Sequence, residues 1–393
     1  MVMDVARLRA ETPGCAKVVH LNNAGSALPT QRTLAATLDH LRLEAEIGGY
    51  EAADREHDRI EAFYPSVAKL IGAQPDEIAF IENATRAWDM AFYSLAFAPG
   101  DCILTCRSEY SSNYISYLQV AHKTGAEIVT IPDDAHGQID VKALAERVDR
   151  RTKLISINHV PTQGGLVNPA AEVGKVARAA GVPYLLDACQ TVGQIPIDVA
   201  AIGCDFLSAT GRKYLRGPRG TGFLYARRET TAHLEPIFLD NHAARWTGAT
   251  TYEVRPDARR FENWERYYGG VLGLAAAVDQ ANALGVDAIW TRIQALSAAL
   301  RQRLARLPGV TLTDLGAVKC GIVTFTVDGA NHDAIRTALR ARDINVSIST
   351  KFSSRLDMDG RGLETVIRAS VHIYNTEDEL DRFVAALQAV RNA

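Results

Sequence analysis

The sequence predicts an α/β fold: a large unit built on a mostly parallel sheet, with a smaller α+β unit at the C-terminal end. Three observations predict it. Short continuous apolar runs alternate with amphipathic stretches over residues 70–230, the pattern of strands covered on both faces and joined by helices. After residue 230 the texture changes to two long helical stretches and then a mixture of strand and helix. The 393 residues suffice for about two units of ordinary domain size.

In chain order, Ile78–Ile81 (Ile-Ala-Phe-Ile) reads as the first strand of the large unit. Cys102–Cys106, Glu127–Ile131, Leu154–Ile157, Tyr184–Leu186 and Phe206-Leu207 with their flanks follow, and Phe223-Leu224-Tyr225 closes the set. Each is a short apolar run bounded by turn residues. Val173, Val176, Ala177 and Ala180 stand at helical spacing between two of these runs. Trp264–Gly285 and Val286–Leu307, rich in Ala, Leu and Arg, predict two long helices. A strand over Gly321–Val327, a helix over His332–Arg342, strands over Ile344–Ile348 and Val366–Ile373, and a helix over Glu377–Arg391 complete the smaller unit. The expected division is residues 16–265 for the larger unit, with 1–15 and 266–393 forming the smaller one and its connecting helices.

Composition narrows the class. Lys plus Arg number 43 against 46 Asp plus Glu, for a net charge of −3, so no basic excess points to nucleic acid or an anionic membrane. With 47% hydrophobic and 23% charged residues, neither disorder nor a fibrous repeat is expected. No window of 18 apolar residues predicts a membrane span. The charge-mixed start, Met1 to Glu11, has no apolar core of a signal peptide. Cys15, Cys102, Cys106, Cys189, Cys204 and Cys320 form no C-x-x-C pair. They read as reduced thiols of a cytoplasmic protein.

Four features carry chemistry, and three of them fall just after apolar runs, at the strand edge where open α/β sheets bind ligands. Asp187 closes Tyr184-Leu-Leu-Asp. A buried acid there needs a partner, although Asp is also a good helix cap. Lys213 follows the run at Phe206, within Thr210-Gly-Arg-Lys-Tyr. A lysine held in a cleft loses its proton readily and becomes a nucleophilic amine; the alternative is a surface lysine in a basic turn. Gly217, Gly220 and Gly222 allow a tight return to the next strand. Because these glycines precede a strand, they do not make a nucleotide-binding loop. Asn83-Ala84-Thr85 opens a helix after Ile81, presenting free amide groups to an anion or serving as a plain cap. Arg368, in Ile367-Arg-Ala-Ser, suits a bidentate carboxylate or an inter-strand salt bridge. Taken together, an acid, an amine, an anion-binding helix start and a carboxylate-binding arginine match the needs of pyridoxal phosphate (PLP) chemistry on an amino acid.

At this point the sequence resembles the class V aminotransferase family of fold type I PLP enzymes, which includes cysteine desulfurases, isopenicillin N epimerase and the C–S lyase of ergothioneine biosynthesis. The resemblance covers nearly the whole chain. Leu21-Asn-Asn-Ala-Gly25 is similar to a family segment near the substrate, which places Asn23 and Gly25 there. Asn83-Ala84-Thr85 resembles the phosphate-binding turn. Tyr110 takes the place where the family stacks a histidine on the cofactor ring, and a phenol ring can stack as well. Asp187 and Gln190 match the partners of the pyridine nitrogen and phenolic oxygen. Thr162 and Thr210 stand among the cofactor-binding positions, the latter as a phosphate ligand. Lys213 matches the lysine that carries the cofactor, and Arg368 the arginine that binds the substrate carboxylate. The resemblance further implies a homodimer with the active sites at the interface.

Several departures shape the expected reaction. The family's histidine before the lysine is Arg212, a good phosphate ligand but not an acid–base group at neutral pH. The stretch where desulfurases carry a nucleophilic cysteine is Asn345 to Ser354 here, without a cysteine, and Cys320 lies too far upstream. No thiolate is therefore placed to accept sulfur. The stretch matching a phosphate contact from the neighbouring subunit, Arg260 to Glu265, lacks the usual Gly-Thr. The Arg-Lys pair, the Gly217-Pro-Arg-Gly220 turn and Glu44 to Ala53 resemble the ergothioneine-type lyase branch most. In that stretch Tyr50 with Gly48 and Gly49 either shapes the substrate mouth or caps a helix. His159 and His242 are further candidates for the pocket. The expectation is a PLP-dependent C–S β-lyase acting on an amino acid, binding neither nucleic acid nor membrane and holding no metal. An aminotransferase or an amino-acid epimerase is the alternative within the family, and a PLP-free binding or regulatory protein the alternative outside it.

Overall fold

The computed structural model describes residues 3–391. Its larger sheet contains β1 (Ile78–Ile81), β2 (Cys102–Cys106), β3 (Glu127–Ile131), β4 (Thr152–Asn158), β5 (Tyr184–Asp187), β6 (Phe206–Thr210) and β7 (Gly222–Ala226). The spatial order is β1-β7-β6-β5-β4-β2-β3. The pairings from β3 through β2, β4 and β5 to β6 are parallel, and β7 runs antiparallel to both β6 and β1. Every apolar run read as a strand in this unit is one.

The runs are continuously apolar because both sheet faces are covered. Leu185, Phe206 and Leu224 pack on one side with Trp88, Phe92 and Tyr117. Their neighbours Tyr184, Leu186, Leu207 and Phe223 pack on the other side, with Val173 and Ala177. The covering helices are α2 (Ala84–Tyr93), α3 (Ser111–Thr124) and α4 (Ala170–Ala180), while α1 (Gln31–Ile47) packs against the long helix that begins at Tyr268. Trp88, Phe92 and Tyr117 come from α2 and α3, and Val173 and Ala177 from α4.

Two long helices follow, α5 (Tyr268–Leu284) and α6 (Val286–Leu304). α5 begins four residues later than Trp264, where the sequence places its start. The reason is a buried anchor. Glu262 accepts hydrogen bonds from the Tyr64 hydroxyl (2.9 Å) and the Phe80 N–H (2.8 Å), and the Trp264 N–H donates to Asp240 (2.7 Å). These bonds hold the approach to α5 out of the helix. Most of α5 is buried, in keeping with a helix apolar on all sides.

The smaller sheet contains β8 (Val310–Leu312), β9 (Ile322–Val327), β10 (Ser347–Thr350) and β11 (Thr365–Ser370), antiparallel in the order β8-β9-β11-β10. It is joined by α7 (His332–Arg340) and α8 (Glu377–Arg391). The strand expected over Ile344–Ile348 is divided. Ile344-Asn345 pairs in parallel with Val19-His20, and the chain then enters the small sheet at Ser347. The strand expected through Ile373 ends at Ser370, because Asn375 Oδ1 accepts the His372 N–H (2.8 Å) and turns the chain.

The N-terminal segment stitches the two sheets together. The Leu21 N–H donates to Asn345 O (2.9 Å), and the Ser370 N–H donates to Leu21 O (2.7 Å). A few residues on, the Ala27 N–H donates to Arg212 O (2.9 Å). The expected division between residues 15 and 16 puts Val19-His20 with the larger unit, whereas its strand partner lies in the smaller one. Among the described residues no helix is long and apolar enough to cross a membrane, and no cluster suits a metal ion.

Candidate active site

Parallel strands end together, so the residues that close them share one edge. Asn158 closes β4, Asp187 closes β5 and Thr210 closes β6. Asn158 lies in register with Asp187, and Asp187 with Ser208. The cleft above them has an empty volume of about 550 Å³. Ala84, Thr85, Tyr110, Thr162, Asp187, Gln190, Thr210, Arg212 and Lys213 all line it. Residues spread over 130 positions of sequence thus meet in one place. A larger hollow of about 1300 Å³ lies beside α5, lined by groups such as Arg7, Glu11 and Gln280. It touches no strand end of the large sheet.

One end of the cleft is the start of α2. Asn83 caps it, its side chain accepting the Arg86 N–H at 2.9 Å. The first amides of a helix have no partner inside it and carry partial positive charge. Gly222, at the start of β7, keeps this corner open. A Cβ there would sit 2.5 Å from Ala209 O and 3.3 Å from Ala84 N. Gly220 is the residue that makes the turn, with φ +73°. The glycine pattern of this loop therefore has two causes, a turn and a close backbone approach. Thr210 adds a hydroxyl 3.4 Å from Thr221 O, and the Arg212 guanidinium is held by the Gly25 carbonyl.

In the middle stand the acid and the amine. Asp187 is buried. Its Oδ1 accepts the Cys189 N–H (2.9 Å) and its Oδ2 accepts from Asn113 Nδ2 (3.1 Å). Burial pushes the Lys213 amine below its ordinary pKa, and the Arg212 and Arg368 guanidiniums push it the same way, against Cys189 and Asp187. That is the environment of a lysine that gives up its proton. Tyr110 caps α3 at the cleft wall. Gln190 donates to Ala24 O (3.0 Å) and to Thr162 Oγ1 (3.3 Å), while its buried Oε1 has no protein partner.

Arg368 of β11 stands behind the cleft wall, against the lining residue Thr162. It is buried, and its Nη1 donates to Thr162 O (3.1 Å) and Thr162 Oγ1 (2.6 Å), its Nη2 to Asn22 Oδ1 (3.4 Å). Its Nε has no partner, and no carboxylate pairs with it among the described residues. Burial lowers its pKa to about 10, so it remains a cation at neutral pH. A buried guanidinium without an anion of its own is a receptor for one from outside. The set fits PLP: an open corner at a helix start for phosphate, a buried acid, a lysine with a loosened proton, and an unpaired amide oxygen between them.

Some expected residues are elsewhere. Asn23 is fully buried away from the cleft. Its Nδ2 donates to Ser370 O (2.7 Å) and His20 O (3.1 Å), and its Oδ1 accepts from the Tyr374 hydroxyl. It pins the N-terminal segment to β11 and has no polar atom left for substrate. Gly25 stands beside Arg212 through its carbonyl. Tyr50 is exposed on a short helix, and Gly48 ends α1 with φ +98°, so this stretch is the glycine-capped helix end. His159 is buried with Nδ1 unpaired, and burial lowers its pKa to about 4. His242 binds Glu262 (3.0 Å) in the anchor before α5. In the Arg260 to Glu265 stretch, Arg260 is turned inward onto Thr231 O and Leu234 O (both 2.8 Å).

Sequence reasoning missed Asn158, Val160 and Cys189 as cleft residues. The rule that selected Asp187 also fits Asn158, which closes an apolar run in the same way. Its amide donates to Ser108 O (2.7 Å).

Comparison with known proteins agrees with this geometry. The model of the family described as Aminotransferase class-V matches residues 19–383. A protein of Xylella fastidiosa (strain 9a5c) named probable cysteine desulfurase is 32% identical, covering 99% of this chain and 96% of its own length. The apo structure of a cysteine desulfurase from Thermococcus onnurineus NA1 superposes with a TM-score of 0.92 at 25% identity, covering 100% and 99% of the two chains. A cystine C–S lyase in complex with its product cysteine persulfide superposes with a TM-score of 0.86 at 24% identity, covering 96% and 98%.

Proposed function

The chain belongs to the class V aminotransferase family of PLP-dependent enzymes, and from that premise we propose that it is a C–S β-lyase acting on an amino acid with sulfur on Cβ. The observation that carries this reading is that no cysteine stands in the strand beside Arg368 and that the one thiol lining the cleft, Cys189, is not acidified. The Asn345 to Ser354 stretch runs past Arg368: Ser349 Oγ donates to Thr162 O at 3.5 Å, and Thr162 is the residue Arg368 grips. That stretch contains no cysteine. Burial raises the pKa of all six thiols of the chain, to about 11 for Cys320 and about 12 for Cys204, and far above the ordinary value for Cys189 in the cleft. A sulfur-accepting nucleophile must be a thiolate, and none of these thiols is acidified.

When bound, PLP supplies the electron sink that lets the Cα–H bond of an amino acid break. The chain's own residues do the rest. The α2 amides of Ala84 and Thr85, the Thr210 hydroxyl and the Arg212 guanidinium hold the phosphate. Asp187 would keep the ring nitrogen protonated, and Tyr110 would lie beside the ring. Asn158 and Gln190 flank it, the latter with its free Oε1. Arg368 binds the substrate carboxylate and so fixes which Cα bond faces Lys213. Lys213 Nζ accepts the Cα proton as general base. A Cβ–S bond that breaks with its electron pair on sulfur needs one proton there, and Lys213, having taken the Cα proton, would supply it. With one water the balance is thiol, pyruvate and ammonium, with no oxidant or reductant. We further place the enzyme in the cytoplasm as a homodimer, in keeping with six unpaired thiols and an apolar stripe on α1 considered below.

The test is a substrate panel on the purified yellow protein. An S-alkylcysteine or its sulfoxide is expected to release pyruvate and the sulfur fragment one to one. Formation of a protein-bound persulfide from cysteine, or keto-acid-dependent amino exchange without pyruvate, overturns the lyase reading. Lys213→Ala is expected to abolish the borohydride-fixed adduct; labelling that persists on another lysine overturns that assignment.

A further inference from the structure

Asp187 does not stand alone behind the cleft. A second carboxylate, Glu109, is buried nearby at 3% exposure, and the chemistry described above makes no use of it. Glu109 has no cationic partner among the described residues. Instead it accepts four hydrogen bonds. Oε1 takes the Tyr110 N–H (2.7 Å) and one from Asn113 Nδ2 (3.0 Å), and Oε2 takes the hydroxyls of Thr105 (3.0 Å) and Tyr117 (3.1 Å). Asn113 Nδ2 has two hydrogens, and its other acceptor is Asp187 Oδ2 at 3.1 Å. One amide therefore spans two buried carboxylates.

Burying a second acid in this way is unfavourable unless its lone pairs are met, as they are here. Burial first, and then the charge of Asp187, raises the Glu109 pKa to about 7. A Thr, Ser or apolar residue would fill the space without that cost, so the arrangement calls for a reason. Asp187 supplies one. Among the described residues its carboxylate is oriented by the Cys189 N–H and by Asn113. An Asn side chain swings freely about its last bond unless its amide is held, and Glu109 holds it. The same Glu109 oxygen fixes the backbone of Tyr110, the residue at the ring face.

We propose that Glu109 is a positioning residue: acting through Asn113 it sets the plane of the Asp187 carboxylate, and through the Tyr110 N–H it sets the ring-covering side chain, so that both meet the cofactor in one geometry. This rests on the reading of Asp187 as the partner of the ring nitrogen. It is independent of whether the enzyme is a lyase. Thr105→Val removes one bond from Glu109 on the side away from Asn113 and serves as the control for plain loss of packing.

The experiment compares holoenzymes of Glu109→Ala, Asn113→Ala, Glu109→Gln and Thr105→Val by visible circular dichroism of the bound cofactor and by its dissociation rate. Glu109→Ala and Asn113→Ala are expected to change the visible dichroic band and to speed PLP release about tenfold or more. Adding Asn113→Ala to Glu109→Ala is expected to have little further effect. Glu109→Gln is expected to stay within about twofold of the parent, since its oxygen keeps the Tyr110 and Asn113 bonds while its amide donates to the Thr105 and Tyr117 hydroxyls. Thr105→Val is expected to lower Tm without altering the band. If Glu109→Ala does not fold, Asn113→Ala carries the test, because three bonds to Glu109 remain. An unaltered band and release rate in Asn113→Ala overturns the proposal, as does a Glu109→Gln enzyme as impaired as Glu109→Ala. A parent protein that binds no PLP overturns the cofactor reading instead.

Discussion

Arg368 and Lys213 show how much at the residue scale depends on desolvation. Arginine normally costs too much to bury without an anion, yet Arg368 is buried with only neutral acceptors around it. That imbalance is the strongest local sign that a carboxylate enters from outside. Arg368→Ala is expected to raise KM for the amino acid about 10- to 100-fold, the worth of a charged hydrogen-bonded pair, while the visible spectrum of the bound cofactor stays that of the parent. A loss of cofactor colour equal to the loss of substrate binding would place Arg368 in the cofactor site instead. Asp187, Lys213 and Arg368 could be picked from the sequence because each is an ionisable residue at or on an apolar strand. Asn158 closes an apolar run as Asp187 does, but a neutral amide carries a smaller burial penalty than a charge, and Asn113, on a helix, has not even that position to mark it. Asn23 illustrates the converse. A short polar motif reads the same whether its amide faces a ligand or is consumed by the backbone, as it is here by Ser370 and His20.

At the scale of elements, strand ends and helix starts do the positioning. The large-sheet strands were legible because burial on both faces forces an uninterrupted apolar run, and such runs are short enough to exclude helices. Boundaries were less legible where a distant partner decides them: the late start of α5 follows from Glu262 and Asp240, and the division of the Ile344 strand from Val19-His20. Gly222 belongs to this scale. Its φ is unremarkable, so conformational freedom is not why glycine stands there; the approach of β7 to β6 and to the start of α2 is. Gly222→Ala is expected to destabilise the fold by about 1–3 kcal/mol through overpacking and to weaken PLP binding about tenfold or more, measured by thermal unfolding with and without added PLP. A variant that binds PLP as tightly as the parent would mean that this corner does not hold the phosphate.

For the whole molecule, the N-terminal segment matters more than its length implies. It crosses from the small sheet to the lysine loop, and so couples Arg368 to the larger unit through Leu21, Asn22 and Ala24. The surface also carries an apolar stripe. Leu34, Leu38 and Leu41 occur at helical spacing on α1 and are 42%, 38% and 39% exposed, which puts them on one face. A second copy of the chain is the expected cover for that face. On the proposal that a second copy covers this face, Leu38→Glu is expected to give a monomer where the parent is a dimer, read by light scattering. A parent protein that is already monomeric at micromolar concentration would remove the dimer from the picture.

The sequence by itself determined the parallel α/β core, the second unit and the chemical types at the cleft, because burial and secondary-structure period act locally and leave their pattern in residue order. The tertiary structure alone decided which polar residues share the site and which are absorbed into the scaffold. Asn158 joins Asp187 only once β4 and β5 are in register, Glu109 is hydrogen-bonded toward Asp187 through Asn113, and Asn23 is consumed only when the N-terminal segment meets β11. Those are contacts between residues far apart in the chain, and no local pattern records them.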